Sequence, residues 1–345
     1  MAKVLITGGL GFIGSNLADK LLREEHEVRI VDNLSRTGCE NNLHWLKDNH
    51  SPTQLRVFSS DLNEQQILKE ASGGAELIFH LAGQVSVSGS VANPYRDFMD
   101  NATGTINILE AARKYGKDPI LIYSSTNKVY GDLDHIQTEE QPTRYTYSNL
   151  PNGIAETQPL DFTTPYGCSK GAGDQYVHDY AGTFGMRTIV MRQSCIYGGR
   201  QFGYEGQGWI SWLLIASILG LPVNIYGNGK QVRDVLYISD LLDAYESAIK
   251  NIETTKGGIY NIGGGMEHTR SIWEEFGKDI ATLTGKEVKA IYEPARIGDQ
   301  KVYISDIRKA AEDFGWKPAV GVEEGVAKTY EWLLEYKDVF QKMYA

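Results

Sequence analysis

Lys3-Val4-Leu5-Ile6-Thr7-Gly8-Gly9-Leu10-Gly11-Phe12-Ile13-Gly14 opens the chain with a β-compatible run and a glycine cluster, followed by a segment to Arg23 with Leu17, Leu21 and Leu22 at helical spacing. Glycines at 8, 11 and 14 permit a tight turn, close approach of backbone to an anion, and close packing of helix on strand. The first turn of the helix then offers unpaired N–H groups and a positive dipole end. A glycine triplet alone would also suit a plain turn that needs positive φ. Here a second β-rich run, Glu27–Val31, follows and ends at Asp32, 18 residues past Gly14 (32 − 14). That spacing suits a carboxylate holding the adenosine ribose diol of a dinucleotide, and its charge repels a 2′-phosphate, which favours NAD over NADP. Arg36 nearby pulls the other way.

Working outward, β-rich runs recur at Leu55–Ser59, Leu77–His80, Ile120–Tyr123 and Thr188–Met191. Amphipathic stretches such as Phe12–Arg23 and Tyr95–Tyr115 lie between them. This alternation predicts an α/β chain with a Rossmann-type, doubly wound parallel sheet covered on both faces. Asp132–Thr163 is polar and aperiodic and reads as a long irregular excursion beside a site. After Tyr197 the glycine and aromatic content rises and the alternation weakens. The expected layout is an NAD-binding domain over 1–197 and a smaller C-terminal substrate-binding lobe, mainly 198–345, from which the chain can cross back into the first domain. No solenoid-length repeat or low-complexity tract occurs.

The chain has 345 residues, 34 Lys+Arg against 44 Asp+Glu, and 41% hydrophobic residues. That composition supplies a core and argues against disorder. A net charge of −10 disfavours nucleic acid and anionic membranes as partners. Cys39, Cys168 and Cys195 are odd in number and far apart, so no disulfide framework is implied, and neither cysteines nor histidines cluster as metal ligands. The N-terminus lacks a signal-peptide pattern and no apolar run reaches roughly 18 residues, so the expectation is a soluble cytoplasmic protein.

Tyr166-Gly167-Cys168-Ser169-Lys170 places a phenol and an ammonium at i and i+4, on one helix face. A nearby cation favours the phenolate, so a lowered tyrosine pKa is expected, able to take a proton from an alcohol. A second polar cluster, Ser124-Ser125-Thr126-Asn127-Lys128-Val129-Tyr130-Gly131, follows a candidate strand, where parallel sheets bind ligands. Arg233 and Arg296 are surface cations or partners of a diphosphate, for which a guanidinium is well shaped. Cys168 has no adjacent histidine base and reads as a small packing residue. His80 reads as a satisfied structural residue, and Trp209, Trp212 and Leu213 as core at helical spacing rather than a sugar platform.

The glycine loop, Asp32, Asp61-Leu62, His80-Leu81-Ala82-Gly83-Gln84, Asn101-Ala102-Thr103-Gly104-Thr105, the Ser-Ser-Thr cluster and Tyr166…Lys170 together resemble the extended short-chain dehydrogenases/reductases. The resemblance continues through Gly227–Val235 and Pro294-Ala295-Arg296-Ile297-Gly298-Asp299, which resemble the nucleotide-sugar site of that family's epimerases and dehydratases. Ser124–Gly131, Thr164–Lys170 and Tyr197-Gly198-Gly199-Arg200-Gln201-Phe202 resemble most the branch that epimerises carbon 2 of CDP-activated sugars, enzymes of carbohydrate metabolism including O-antigen biosynthesis. Ala82-Gly83-Gln84, where many relatives have a different small-residue word, fits that branch.

The resemblance implies Tyr166 as general base, Lys170 as its electrostatic partner and ribose ligand, and Thr126 as the hydroxyl on the reacting sugar oxygen. It implies NAD held by Gly8, Gly11, Phe12, Ile13, Gly14, Asp32, Asn33, Ser35, Asp61, Leu62, Leu81, Ala82, Gln84, Asn101 and Ser124, with Tyr166 and Lys170. It places the nucleotide sugar, CDP-linked in the first instance, against Gln84, Thr126, Asn127, Gln207, Arg233 and Arg296, in a homo-oligomer, dimer or tetramer. The implied reaction is transient oxidation to a keto sugar and re-reduction from the other face, with no net redox change. Dehydratases of the family carry an Asp-Glu pair after the threonine; Asn127 and Lys128 stand there instead and cannot supply that acid. A UDP-sugar 4-epimerase would use the same Tyr, Lys and hydroxyl, and a non-catalytic dinucleotide sensor on this fold is the alternative outside catalysis.

Overall fold

The computed structural model describes residues 1–296 and 298–344; Ile297, within the late motif quoted above, lies outside the described residues. Seven strands form its main sheet: β1 Lys3–Thr7, β2 Glu27–Asp32, β3 Leu55–Ser59, β4 Leu77–His80, β5 Ile120–Thr126, β6 Arg187–Gln193 and β7 Ile259–Ile262. They lie in the order β7-β6-β5-β4-β1-β2-β3, every pair parallel. The period-2 pleat explains how such short apolar runs are buried on both sides. In β1, Val4 and Ile6 face one core with Val28, Ile30, Ile122 and the helix Phe12–Arg23. Leu5 faces the other with Val31, Ile78, Leu121 and the helices Gly104–Tyr115 and Thr164–Phe184. This is the doubly wound Rossmann-type sheet, with its switch point between β1 and β4, where ligands bind in such folds.

The structure extends or corrects several expectations. β5 runs on to Thr126 and β6 starts at Arg187 and ends at Gln193, because register with neighbouring strands continues past the apolar residues. β7 was not anticipated; it is reached after the helix Ile238–Lys250, which packs on the first core, so residues beyond 197 return to the sheet. Tyr95–Tyr115 is not one amphipathic helix. It comprises the helix Pro94–Phe98, a π turn at Met99–Thr103, and the helix Gly104–Tyr115. Such single π turns re-aim side chains inside a helix.

Asp132–Thr163 is ordered rather than irregular. It contains the hairpin Thr138–Glu140/Tyr145–Tyr147, and Ile154 N–H donates to the Ile304 carbonyl at 2.7 Å. Val129, Tyr130, Leu133, Ile154 and Tyr303 bury one another beneath it. Long-range pairing supplies what local periodicity lacks.

The remaining residues build small sheets from Val223–Tyr226 with Ala290–Glu293, and from Val232–Tyr237 with Cys195–Tyr197, Thr269–Ser271 and Val302–Tyr303. Their core includes Leu213, Phe276 and Phe340, with Trp209 and Trp212 packed against it along the helix Trp209–Leu219. Among the described residues, no helix is long and apolar enough to cross a membrane, and no metal-like cluster of His, Cys, Asp or Glu occurs.

Candidate active site

β1 ends in a loop compressed against the end of β4. A Cβ added to Gly8 (φ +69°) would lie 2.7 Å from Ala82 N, and one on Gly14 would lie 2.3 Å from Gly8 O. Only glycine fits either place. The helix Phe12–Arg23 has no side-chain cap, leaving its first amides available to an anion. The crevice above is lined by Gly8, Gly11, Phe12, Ile13, Gly14, Asp32, Asn33, Ser35, Asp61, Leu62, Leu81, Ala82 and Ser124. Thirteen of the expected dinucleotide residues therefore face one cleft.

Asp32 also holds the loop itself. Its Oδ2 accepts from Leu10 N–H and its Oδ1 from Leu34 N–H, both at 2.9 Å. Burial pushes its pKa up, against those two hydrogen bonds.

Gln84 and Asn101 are not on the lining, and neither are Tyr166 and Lys170. Gln84 closes on its own loop, donating to Ser86 O at 2.7 Å and accepting from Ser86 N–H at 2.8 Å. The Asn101 amide donates to Asp97 and Ser169, and its Oδ1 is buried without a partner among the described residues. Other lining residues had no signal in the glycine pattern: Thr37 and Asn42 follow Asp32 in the loop and helix after β2, Phe202 comes from a distant segment, and Arg36 reaches across to donate to Gln207. Gln207, expected on the sugar side, thus borders the glycine-loop cleft.

Beyond Ser124, the end of β5 carries Thr126 and the start of the helix Thr164–Phe184 carries Tyr166 and Lys170; all three are buried. Thr126 Oγ1 accepts from Lys128 N–H at 3.2 Å and donates to Asn127 Oδ1 at 3.4 Å. Lys170 Nζ donates to Ser124 O at 2.5 Å and lies 4.2 Å from the centre of the Tyr123 ring. The expectation of a lowered tyrosine pKa is overturned. Burial pushes the phenol up to about 12, opposed by the polar Thr126 side chain, with Asp97 adding to the rise and Arg36 opposing it. Lys170 is itself pushed down to about 7 by burial, so desolvation outweighs the neighbouring carboxylates.

On the far side, Lys128 Nζ donates to Gln300 Oε1 at 3.3 Å and Gly298 O at 3.4 Å, while the Asn127 amide donates to the same Gln300 oxygen at 3.5 Å. Burial, reinforced by Arg233, pulls the Lys128 pKa down to about 8. Arg233 is buried and donates to Asp299 at 2.5 Å. Arg296 is more open, stacked 3.6 Å over the Tyr226 ring. Cys168 is exposed rather than packed. His80 is buried with Nδ1 2.7 Å from Thr7 Oγ1 and Nε2 3.0 Å from Thr105 Oγ1, a satisfied structural residue whose pKa burial lowers to about 3.

This combination of glycine loop, β5 hydroxyls and Tyr–Lys helix defines a class. The family model described as GDP-mannose 4,6 dehydratase matches residues 5–329, and the chain belongs to that family of extended short-chain dehydrogenases/reductases, the nucleotide-sugar epimerases and dehydratases. More particularly, it is 43% identical to a CDP-paratose 2-epimerase from Salmonella typhi, over 96% of this chain and 98% of that one. A UDP-glucose 4-epimerase from Thermotoga maritima, solved with UDP-glucose, superposes with a TM-score of 0.82 at 30% identity, covering 97% of this chain and 99% of that one. A UDP-glucose 4-epimerase from Thermus thermophilus, solved with NAD, superposes with a TM-score of 0.79 at 29% identity, covering 96% and 99%.

Proposed function

We propose that this protein is an NAD-dependent nucleotide-sugar epimerase that inverts carbon 2 of a CDP-activated hexose or deoxyhexose. The observation that carries the reading is that Thr126, Tyr166 and Lys170 are all buried, with Lys170 bonded to the carbonyl of Ser124, a residue of the glycine-loop cleft, and with Asn127 and Lys128, not carboxylic acids, next along the chain from Thr126. The 43% full-length identity to a CDP-paratose 2-epimerase supports carbon 2 and CDP.

The residues present fit NAD. The glycine loop leaves room for a diphosphate against uncapped amides, and Asp32 meets a ribose at the cleft edge. When bound there, NAD supplies the two-electron acceptor and donor. Tyr166 takes the proton of the sugar hydroxyl and gives it back after the keto sugar has turned its other face. Thr126 hydrogen-bonds the reacting oxygen, and Lys170 supplies positive charge beneath the phenol and ribose. The positive charge of an oxidised nicotinamide would oppose the burial that holds the phenol proton so firmly. Arg233 and Arg296 take the diphosphate, with Asn127 on the sugar side. Residues 1–197, with the return through β7, hold the dinucleotide, and the rest of 198–345 the nucleotide sugar, in a cytoplasmic enzyme.

The test is incubation with CDP-, UDP- and GDP-hexoses in D₂O, followed by NMR. A 2-epimer with no solvent deuterium at C2 is the expected product. Inversion at C4 would favour the second reading, a UDP-sugar 4-epimerase like the Thermotoga and Thermus proteins. A 4-keto-6-deoxy product would overturn the argument from Asn127 and Lys128, and deuterium at C2 would remove transient oxidation altogether.

A further inference from the structure

Between the helices Pro94–Phe98 and Thr164–Phe184 lies a carboxylate for which the chemistry above has no use. Asp97 is 1% exposed. Its Oδ2 accepts from Ser169 Oγ at 2.5 Å and its Oδ1 from Asn101 Nδ2 at 3.2 Å, while the same amide also donates to Ser169 Oγ at 2.9 Å. Ser169 stands between Tyr166 and Lys170 in their helix, and its hydroxyl also lies 3.2 Å from the Tyr166 carbonyl oxygen. The π turn at Met99–Thr103 carries Asn101, and Thr105 Oγ1 donates to its carbonyl at 2.6 Å. Arg96, beside Asp97 in sequence, turns away to Asp61 and Asp100. Asp97 is thus fixed by neutral donors next to the reacting pair, with its charge unspent.

We propose that Asp97 is a positioning residue for the Tyr166–Lys170 pair: bonded to the Ser169 hydroxyl between them in the helix, its fixed buried carboxylate anchors that turn and adds negative charge beside the Lys170 ammonium. The inference rests on the epimerase reading for its consequence in turnover. A purely structural clamp between helices would need the same hydrogen bonds, but not the charge.

The groups facing the pair show why the charge matters. Burial drives Lys170 toward its neutral form; Asp174 and then Asp97 oppose it. Asp174 lies in the same helix, but both its oxygens are taken by Arg192 of β6 at 2.9 Å, which offsets its charge. Tyr123 of β5 presents its ring face to the ammonium and donates its hydroxyl to the Lys170 carbonyl at 3.3 Å, and His80 of β4 is kept neutral by burial. Asp100 of the π turn is paired with Arg96, and Arg36, from the loop after β2, acts on the phenol in the direction opposite to Asp97. Asp97 is therefore the carboxylate near Lys170 without a contacting cation among the described residues. Its own pKa is raised by burial, against the Ser169 hydrogen bond and the Lys170 charge.

Removing the charge moves the Lys170 titration to lower pH, and the Tyr166 titration in the same direction. The test follows Lys170 directly, by NMR of protein carrying ε-¹³C lysine, with Lys170→Met to assign the resonance. Asp97→Asn is expected to lower the Lys170 titration midpoint by roughly one pH unit, the scale of a nearby opposite charge. The alkaline limb of the rate–pH profile moves with it. Asp97→Glu, which keeps the charge, leaves both in place, and Asp97→Ser replaces the amide variant if that fails to fold. An unmoved Lys170 titration in the charge-removing variant, with only a lower Tm, overturns the proposal. Inactivity of the unmodified protein on every nucleotide sugar would instead sink the epimerase reading, and the NMR titration would still decide the role of Asp97.

Discussion

Tyr166 and Asp32 show how single side chains carry two demands at once. Tyr166 is buried, and burial is the largest cause that pushes its pKa up to about 12. Tyr166→Phe is expected to leave folding and NAD affinity nearly intact while lowering turnover by about 10²–10⁴-fold, the usual cost of losing a general base. Steady-state assay on the best nucleotide sugar checks this, and near-native turnover would assign the proton to another group. Asp32 accepts two loop amides besides lining the glycine-loop cleft. Asp32→Ala should therefore weaken NAD binding, relax discrimination against NADP, and lower Tm, because Leu10 and Leu34 lose their acceptor. Titration with both cofactors reads the first two effects; an unchanged preference would shift specificity to Arg36 or its neighbours.

At the scale of elements, the Tyr166 helix must be held against the sheet without help from a continuous apolar face. Arg192 of β6 donates to both oxygens of Asp174, with Ser125 adding a third bond at 2.6 Å. Arg192 continues to Tyr130 at 3.0 Å, and Tyr130 to Asn261 of β7 at 2.7 Å. This line ties three strands' ends and one helix beneath the site. Breaking one partner of a buried pair strands the other, so Asp174→Asn is expected to cost about 3–5 kcal/mol of stability. Urea denaturation measures it; a loss below about 1 kcal/mol would mean that the guanidinium is rehydrated rather than stranded.

Across the whole molecule, the C-terminal helix Lys337–Tyr344 reaches the cofactor side. Phe340 is buried, with its ring 5.2 Å from that of Phe202, and Phe202 lines the glycine-loop cleft. Phe340→Ala should cost about 3–5 kcal/mol through the cavity left behind. It should also weaken NAD binding, because Phe202 loses its backing; a calorimetric NAD titration that stays unchanged would uncouple the two. What the sequence alone determined was local. β1, β3, β4 and the helix Phe12–Arg23 stand at the residues that periodicity marks, and the glycine loop, Asp32 and the Tyr166–Lys170 face follow from spacing, since a pleat and a helical turn repeat within a few residues. Tertiary structure alone decided the rest. β7 and the anchoring of Asp132–Thr163 through Ile154 on Ile304 depend on partners far along the chain. So does the joining of Asp97 to Ser169, 72 residues apart. The upward shift of Tyr166 is of the same kind, because burial is set by everything that packs around a side chain, and no neighbour in sequence reports it.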